Sequence, residues 1–596
     1  MSADQQFNGK GLVMDNEEDS SNNNEVEASP IRSFLDAGKR SVTLIVLPYL
    51  VGKNEATKTK VRSYLAFPYG VLTLATYVLK HSRVDVELEI LDLNLHIGED
   101  IGPIIDSHLK QHNPDIVGIS MMFDHSYHNV EDVSKQIKDF NEDIICVLGG
   151  PAATTSAKEI IEEQPFLDAV CYSEGERALT ELIESNNAGE LLNQPPWVTR
   201  ESVADARHPK TYYVENLNEV VDLDYGLIDS SAYSMKEAFS PFATYRNEDD
   251  VRQFYIVTSR GCPFKCVFCS EPELQGASMR YADVDVLMAH VDKLVKEYGM
   301  NVLTFYDDQL LLDTDRAKEL FRRLIPYNLR LEAPNGVTLH YIDEEMAGLM
   351  KAAGIDTIPL AIESGSDYVL RKVIKKPLRV QEIGKVVGFL REVGIFTQAF
   401  IVVGLPGEKD EHRLETLKVL KNAGLDWAGF SLATPLRGTE LTRVCKEKGY
   451  IPKNLGVGDV VDKEYIINAP ELGLIPEVIT KQAYMMNLDF NFVNNRSMRM
   501  GEYETAISCF SEVTERYDGH AFAHFYLAEA YEALGSEPEK VESNRKRFLE
   551  LIEGDVEWQE YAEFFGLTGD NIHNSGSQTI FDYTREQFAT KLLKTA

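Results

Sequence analysis

The chain has 596 residues, too many for one hydrophobic core, so roughly two to four domains are expected. It is 44% hydrophobic and 26% charged, which is typical of a soluble globular protein, and no apolar run reaches the ~18 residues of a membrane-spanning helix. A formal net charge of −35 with no basic stripe to offset it argues against a nucleic-acid partner. The N-terminus has no signal-peptide pattern, so we expect a cytoplasmic protein without a membrane span.

The first folded region is predicted to be a Rossmann-like α/β domain over residues 39–200, after an acidic, polar leader (1–38) that we expect to be disordered. Strand-like and helix-like segments alternate there, which predicts βαβ units and a parallel sheet. The predicted strands are SVTLIVLPYL (41–50), VELEILDL (86–93), DIVGISMM (115–122), DIICVLGG (143–150) and LDAVCYSEGE (167–176).

A second alternating region spans residues 250–475, after a polar linker (201–249). Its six predicted strands with helices between them indicate a partial (β/α)6 barrel. The strands are QFYIVTSR (253–260), NVLTFYDD (301–308), LRLEAPNG (329–336), TIPLAIES (357–364), TQAFIVVG (397–404) and WAGFSLAT (427–434). In barrels of this kind the active groups lie at the C-terminal ends of the strands.

The last region, residues 476–596, is predicted to be helical. Small and aromatic residues recur over about residues 499–552, which resembles one tetratricopeptide-like helix pair. One pair cannot form a solenoid. A helical cap packed on the barrel is therefore favoured over a partner-binding module, which remains the alternative.

Three of the seven cysteines, Cys262, Cys266 and Cys269, lie within eight residues directly after the first barrel strand. An odd number of cysteines with three clustered does not fit a disulfide framework and indicates a metal or redox site. Structural zinc takes four ligands, usually as two separate CxxC pairs, and the CxxxCxxC spacing has no second pair. Three thiolates on an iron–sulfur cubane leave one iron open, so the missing fourth cysteine favours a catalytic cluster over zinc.

The CxxxCxxC loop, with an aromatic residue before its last cysteine, resembles the radical S-adenosylmethionine (SAM) superfamily over about residues 250–450. The resemblance implies a [4Fe–4S] cluster on the three cysteines, with SAM on the open iron. Later motifs follow in the family's order: FYDDQ (305–309) for the SAM amino group, AIESGS (361–366) for its ribose and carboxylate, and FIVVGLPGE (400–408) for its adenine. The implied SAM contacts are Phe268, Tyr306, Asp307, Asp308, Glu363, Ser364, Gly404, Pro406 and Gly407. Taken singly, the two aspartates also fit strand-end caps, and the glycines fit an ordinary turn.

The Rossmann-like domain resembles that of the cobalamin-binding subfamily of radical SAM enzymes. The resemblance is carried by FPYGVLTLATYVL (67–79), GISMM (118–122), GGPAAT (149–154) and YSEGERALTELI (172–183). The implied cobalamin contacts are Ser120, Gly149, Gly150, Glu174 and Gly175, with the adjacent glycines letting the nucleotide tail approach the backbone. The turn that runs from Glu174 to Glu176 is expected to face the barrel.

The sequence motif that supplies a histidine ligand to cobalt is missing from this domain. Cobalamin domains that ligate cobalt from below carry Asp-x-His-x-x-Gly after the first strand, but the loop PYLVGKNEATKTK (48–60) has no histidine. Asp92 and His96 follow the second strand with a different spacing, and His125 and His128 are expected to be solvent or cap residues. We therefore expect cobalt without a protein imidazole. A degenerate domain that binds nothing, or another nucleotide, is the alternative, although no GxGxxG follows the first strand.

The resemblance implies a cobalamin-dependent radical SAM enzyme, with a methyltransferase acting on an unactivated carbon as the favoured activity. By family analogy, a 5′-deoxyadenosyl radical removes a substrate hydrogen, methylcobalamin supplies the methyl group, and a second SAM restores it. A cobalamin-dependent cyclase or rearrangement enzyme is one alternative, and a cobalamin- or SAM-sensing interaction module is another. An external electron donor such as flavodoxin or ferredoxin is implied. Fold does not decide between a small-molecule, lipid or peptide substrate.

Overall fold

The computed structural model describes residues 38–49, 66–96, 98–205, 210–233, 250–459, 464–568 and 579–595. The predicted leader, apart from its last residue, lies outside this part of the chain. So do residues 50–65 after the first strand, where the cobalt-ligand motif would stand, and residues 206–209 and 234–249 of the linker. Within the described residues, no helix combines the length and the apolar character needed to cross a membrane.

The N-terminal domain is built on a sheet with the strand order β2-β1-β3-β4-β5-β6. Its strands are β1 (Arg40–Val46), β2 (Val86–Asp92), β3 (Ile116–Ser120), β4 (Ile145–Gly149), β5 (Ala169–Cys171) and β6 (Trp197–Val198). The first five are parallel, which confirms the predicted Rossmann-like sheet, whereas β6 is an antiparallel edge strand that the sequence pattern did not predict. The order reverses between β1 and β3, and ligands of such sheets bind beyond the carboxyl ends of the strands at that reversal.

Helices cover both faces of this sheet. They are α1 (Tyr69–His81), α2 (Ile101–His112), α3 (Val130–Phe140), α4 (Pro151–Thr155), α5 (Ala157–Glu163), α6 (Glu176–Glu184), α7 (Ala188–Leu192) and α8 (Arg200–Ala204). Because both faces are covered, nearly every residue of β1 is buried, and the strand is an almost continuous apolar run.

The barrel region contains all six predicted strands, in two parallel sheets with the orders β11-β10-β7 and β12-β13-β14. A parallel bridge between Val337 and Leu360 joins the two sheets into one curved wall. The strands are β7 (Gln253–Ile256), β8 (Ser259–Arg260), β9 (Arg280–Tyr281), β10 (Val302–Phe305), β11 (Arg330–Glu332), β12 (Thr357–Glu363), β13 (Phe396–Val403) and β14 (Trp427–Leu432). The helices are α9 (Glu271–Leu274), α10 (Val284–Tyr298), α11 (Thr314–Leu324), α12 (Glu344–Ala353), α13 (Val380–Glu392), α14 (Asp410–Ala423) and α15 (Glu440–Lys448).

The C-terminal region is helical, as predicted. Its helices are α16 (Pro476–Leu488), α17 (Arg496–Met500), α18 (Tyr503–Arg516), α19 (Ala521–Leu534), α20 (Pro538–Gly554), α21 (Val556–Phe564) and α22 (Ile580–Thr595). The predicted helix pair corresponds to α18 and α19. Buried side chains of these helices, such as Phe510 and Trp558, belong to the same contiguous hydrophobic core as the barrel strands. This shared core supports the interpretation of the region as a cap on the barrel.

The segment 210–233 packs between the N-terminal domain and the barrel. Its Asp222 carboxylate lies 2.7 Å from Lys80 of α1 and 2.8 Å from Lys293 of α10, so one acidic side chain pairs with both domains. Phe67, just before α1, stacks on Tyr255 of β7 with the ring centroids 4.9 Å apart. The two domains therefore share both an aromatic and an ionic contact.

Candidate functional site

The cysteine loop begins where the first barrel strand is broken into β7 and β8. The break is held by Asp307, whose buried carboxylate accepts hydrogen bonds from Thr258 N at 3.0 Å, Thr258 Oγ1 at 2.7 Å and Ser259 Oγ at 2.6 Å. Asp307 was predicted to contact SAM. In the structure its carboxylate anchors the approach to the cysteines, as the alternative of a strand-end cap predicts, and a contact with SAM stays a prediction.

Backbone contacts shape the loop itself. Cys262 N donates to Gly276 O at 3.0 Å, and Cys269 N donates to Cys266 O at 3.1 Å. Gly261 has φ +96°, and a Cβ there would lie 2.4 Å from Ser278 O, so only glycine fits this turn. The three cysteines are thus carried by a loop whose path is set by its neighbours.

Two of the three sulfur atoms accept hydrogen bonds. Gln309 Nε2 lies 3.5 Å from Cys262 Sγ, and Glu271 N lies 3.4 Å from Cys269 Sγ. Sequence reasoning did not single out Gln309, although it closes the FYDDQ motif and its Oε1 accepts a hydrogen bond from Thr338 Oγ1 at 3.1 Å. Donors to cluster sulfur are one way in which proteins set cluster potentials.

The three cysteines are a donor set that an iron–sulfur cluster can use. In a cubane each thiolate binds a different iron. Burial raises the pKa of Cys266 to about 11 and that of Cys269 to about 12, and a bound cationic metal centre would draw out these protons. The donor set therefore fits a cluster held at three of its four irons.

A pair of carboxyls lies near Cys262 of the loop. Asp308 lies three residues after the end of β10 and interacts with Glu271. Glu271 is the first residue of α9 and follows Cys269 by two residues. Burial raises the pKa of both side chains, and their closeness disfavours two negative charges at once. Asp308 was predicted to lie at this site, whereas Glu271 was missed because nothing in its local sequence marks it.

A buried cation lies near Cys266 of the loop. Lys376 Nζ lies 3.0 Å from Glu363 Oε1, both side chains are buried, and the lysine charge opposes the rise in the pKa of the Cys266 thiol. Glu363 ends β12 at a register shift with φ +66°, an uncommon conformation for a residue with a side chain. Strained backbone of this kind is concentrated at functional sites. Lys376 was not predicted.

The remaining predicted SAM contacts serve the packing of the barrel. Tyr306 stacks on Tyr255 with the centroids 4.8 Å apart, and Phe268 packs against the main core. Ser364 Oγ lies 3.3 Å from Thr416 Oγ1 of α14 and accepts a hydrogen bond from Ser366 N at 3.2 Å. These contacts position the strand ends around the site.

The glycine turn after β13 is bound to the C-terminal cap. Gly404 has φ +92°, and a Cβ there would meet the Tyr465 ring at 2.6 Å and Ile479 at 2.8 Å. Its N–H donates to Glu408 Oε2 at 2.6 Å, and its carbonyl accepts from the Tyr465 hydroxyl. Gly407 also has a left-handed φ, of +102°, and Pro406 is half-buried between the two glycines. The turn therefore needs glycine for its own conformation, whatever it contacts besides.

The predicted cobalamin contacts of the N-terminal domain cluster at the carboxyl ends of its strands. Ser120 ends β3 and is in register with Gly149, the last residue of β4. A Cβ at Gly175 would lie 3.1 Å from Leu74 of α1. Gly150 has φ +111°, and a Cβ there would lie 2.5 Å from Met121 O. The structure thus brings these residues to the face where such sheets bind ligands.

We expect Gly150→Ala to destabilise the N-terminal domain by about 1–3 kcal/mol, because its backbone conformation is accessible essentially only to glycine. Gly149→Ala is the matched control, since its Cβ would make only an ordinary 3.7 Å contact with Cys171 Cβ. Thermal unfolding of the two full-length variants measures the difference. Equal unfolding midpoints would show that the backbone does not require glycine at position 150. Gly149→Leu is the variant to use for cobalamin binding, because position 149 does not have this backbone constraint.

The histidines near this face contact other groups. His125 Nε2 lies 2.6 Å from Tyr49 O, and His128 Nε2 lies 3.2 Å from Gly458 O, so both bind backbone carbonyls and neither is simply a solvent residue. His96 lies 3.5 Å from Glu99. Asp92 is buried and accepts a hydrogen bond from the Tyr233 hydroxyl at 2.8 Å. That cobalt lacks a histidine ligand stays a prediction.

Glu174, which was predicted to contact cobalamin, forms ion pairs with the barrel region. Its carboxylate lies 2.7 Å from Arg280 and 3.3 Å from Arg260, both in the barrel region, and it accepts a hydrogen bond from Val214 N at 2.7 Å. The turn does face the barrel, as expected. Its carboxylate is used in binding the two domains together.

Comparison with known families places both domains. The family model of the radical SAM superfamily matches residues 256–420, and that of the B12 binding domain matches residues 59–183. The [4Fe–4S] cluster, SAM and cobalamin are accordingly the cofactors that go with these two domains.

Individual relatives agree with this assignment. The cytidylyl-2-hydroxyethylphosphonate methyltransferase of Streptomyces wedmorensis is 28% identical over 65% of this chain and 77% of its own length. The anaerobic magnesium-protoporphyrin IX monomethyl ester cyclase of Cereibacter sphaeroides is 27% identical over 57% of this chain and 54% of its own length. The structure of the cobalamin-dependent S-adenosylmethionine radical enzyme OxsB, with aqua-cobalamin bound, superposes with a TM-score of 0.60 at 16% identity, over 93% of this chain and 84% of that one. This last likeness shows a shared fold.

Proposed function

Because this chain belongs to the radical SAM superfamily and carries a B12-binding domain, we propose that it is a cobalamin-dependent methyltransferase acting on an unactivated carbon. The proposal is carried by one observation, an uninterrupted three-cysteine loop at the C-terminal end of the first barrel strand, behind a domain of the B12-binding family. The similarity to a phosphonate methyltransferase supports methyl transfer as the outcome.

In this proposal Cys262, Cys266 and Cys269 hold the [4Fe–4S] cluster. When bound, the cluster would supply the electron that cleaves SAM to methionine and a 5′-deoxyadenosyl radical, and cobalamin would carry the methyl group. The protein contributes a loop of set shape, sulfur-directed donors and a barrel wall that keeps water from the reacting atoms.

The charges beside the loop orient SAM. The amino group of SAM is a cation and suits the carboxyl pair of Asp308 and Glu271, whereas its carboxylate suits the ammonium of Lys376. Asp308 and Glu271 act electrostatically on the Cys262 thiol and Lys376 acts on the Cys266 thiol, so each charged group of the amino acid end of SAM would have an oppositely charged partner near the cysteines. Charge-assisted hydrogen bonds of this kind are about twice as strong as neutral ones.

We expect Asp308→Asn to weaken SAM binding by roughly tenfold or more, because a hydrogen bond to a charged group contributes about 1.5–3 kcal/mol. SAM titration of the reconstituted protein, followed by the change in the cluster's electron paramagnetic resonance (EPR) spectrum, measures the effect. Asp315→Asn, exposed in the first turn of α11, is the control. Loss of iron in Asp308→Asn would identify the residue as structural, and unchanged SAM affinity would place the amino group elsewhere.

A cyclase or rearrangement reaction is the second candidate, favoured by the similarity to a protoporphyrin ester cyclase. Product analysis separates the two. A methyltransferase that uses two SAM molecules forms both 5′-deoxyadenosine and S-adenosylhomocysteine, whereas a cyclase forms no S-adenosylhomocysteine. Absence of both products, with SAM and cobalamin still bound, would favour a sensing module.

Several further assignments belong to this proposal. An electron donor of the flavodoxin or ferredoxin kind would reduce the cluster, and the protein would act in the cytoplasm on a small-molecule, lipid or peptide substrate. The proposed domains are 39–200, 250–475 and 476–596, with a linker at 201–249. The family matches fall inside the first two ranges, which supports these boundaries.

A further inference from the structure

We infer that Arg260 is a positioning residue through which the docked B12-binding domain sets the geometry of the cysteine loop. The inference rests on the proposed function only in taking Cys262, Cys266 and Cys269 as cluster ligands. It goes beyond that function because it makes the state of the cluster depend on two carboxylates of the other domain.

Arg260 stands two residues before Cys262. Among the described residues, all of its ion pairs are with residues of the N-terminal domain. Its guanidinium lies 2.8 Å from Glu176 Oε1 and 3.3 Å from Glu174 Oε1. Arg280 completes the group by binding Glu174 at 2.7 Å. The four side chains are 11%, 8%, 6% and 10% exposed, in the order Arg260, Glu174, Glu176 and Arg280.

This group of two arginines and two glutamates has no net charge, and each member depends on the others. A buried ion pair that loses one partner leaves an uncompensated charge, which is strongly unfavourable. If the N-terminal domain shifted, Arg260 would lose both carboxylates at once. The side chain would then have to reach solvent or another acid, and it would move the backbone next to Cys262 with it.

The surrounding contacts show why such a movement would reach the cysteines. The residue before Arg260, Ser259, is bound to Asp307, and the residue after it, Gly261, lies against Ser278 O. Arg280 donates to Gln275 O at 2.9 Å, and the neighbouring Gly276 carbonyl accepts from Cys262 N at 3.0 Å. The two arginines therefore hold both sides of the Cys262 turn, and both are held by Glu174.

The test is Glu176→Gln in the full-length, reconstituted protein, which keeps the shape of the side chain and removes its charge. We expect the cluster to be lost to an iron chelator about tenfold faster, the order of effect seen when groups that orient metal ligands are removed. The EPR spectrum of the reduced cluster should also change, although Glu176 lies in another domain and is not a ligand. A purely structural role for Glu176 would not alter that spectrum.

Glu184→Gln is the matched control. Glu184 ends the same helix, α6, its side chain is 9% exposed, and it pairs with Arg83 within its own domain. It should leave cluster loss and spectrum unchanged. Glu176→Asp keeps the charge on a shorter side chain, so it should change the rate of cluster loss and the EPR spectrum in the same direction but by less. This variant replaces Glu176→Gln in the test if Glu176→Gln does not fold.

Unchanged cluster loss and an unchanged spectrum in both Glu176 variants would overturn the inference. Failure of the proposed function would look different, because the unaltered protein would then bind no cluster or form no methylated product. A cluster present in the unaltered protein and insensitive to Glu176 refutes only the role of Arg260.

Discussion

Alanine at Cys262, Cys266 or Cys269 is expected to abolish the iron–sulfur cluster, whereas alanine at Cys445 or Cys509 leaves it intact. Each of the first three thiolates would hold a separate iron, and the loss of one thiolate would leave a second iron of the cubane without a protein ligand. Anaerobic reconstitution followed by iron and sulfide analysis, and by the thiolate-to-iron absorption, measures the outcome.

The two control cysteines are at least as buried as the proposed ligands, of which Cys262 is buried and Cys266 and Cys269 are half-buried. Cys445 lies in α15 and Cys509 in α18, both buried, and burial raises the pKa of the Cys445 thiol to about 11. Loss of iron in Cys445→Ala or Cys509→Ala would mean that a fourth cysteine binds the cluster. SAM would then have no open iron, and the proposed chemistry would fail with it.

Replacing Arg413 with methionine is expected to lower the free energy of unfolding by about 3–5 kcal/mol, because it leaves a buried carboxylate without its cation. The Arg413 side chain is 1% exposed and lies 2.9 Å from Glu408, whose side chain is 2% exposed. Glu408 also accepts the hydrogen bond of Gly404 N at 2.6 Å, so the loss extends to the glycine turn. Chemical denaturation of the full-length variant measures the change.

The effect should depend on pH in a defined direction. Burial already raises the pKa of Glu408, and removal of Arg413 raises it further. A carboxyl with a raised pKa in the folded state stabilises the fold when protonated and destabilises it as the pH rises above the unfolded value. The deficit of Arg413→Met should therefore shrink at low pH.

Arg443→Met is the control for the loss of an arginine. Arg443 pairs with Glu447 on the surface of α15 at 2.8 Å, with side chains 60% and 57% exposed, and such pairs contribute at most about 1 kcal/mol. Equal destabilisation of the two variants would contradict the prediction. Adding Glu408→Gln to Arg413→Met should recover part of the loss, because the neutral amide no longer needs a cation.

The strands of both domains could be predicted because they are buried on both faces and their residues therefore form local apolar runs. The short edge strand β6 escaped detection because two residues carry no period. The predicted barrel strands extend past the observed ones, as in LRLEAPNG, of which only Arg330–Glu332 is strand. Polar residues at a strand's carboxyl end belong to the following loop, and the sequence does not mark the residue at which the strand ends.

At the site, the cysteines could be predicted because their spacing is local, whereas the roles of adjacent residues could not. Asp307 and Asp308 are chemically identical neighbours, but side chains alternate in direction along an extended chain. One is therefore buried on the strand break and the other faces Glu271. The ion-pair partners of Glu174 and Glu363 are distant in sequence or lie on another element. The sequence alone does not show which acidic side chain pairs with which basic one.

The segment 210–233 has a consequence for protein engineering. Asp222 joins Lys80 of α1 to Lys293 of α10, and this acid would meet a foreign surface in any chimera that received its cobalamin domain from a relative. The unit of exchange is then the N-terminal domain, including its acidic turn before α6, together with this segment, grafted onto a barrel that retains Arg260 and Arg280. Such a graft would carry its own interface, whereas a cut at residue 200 would leave half of it behind.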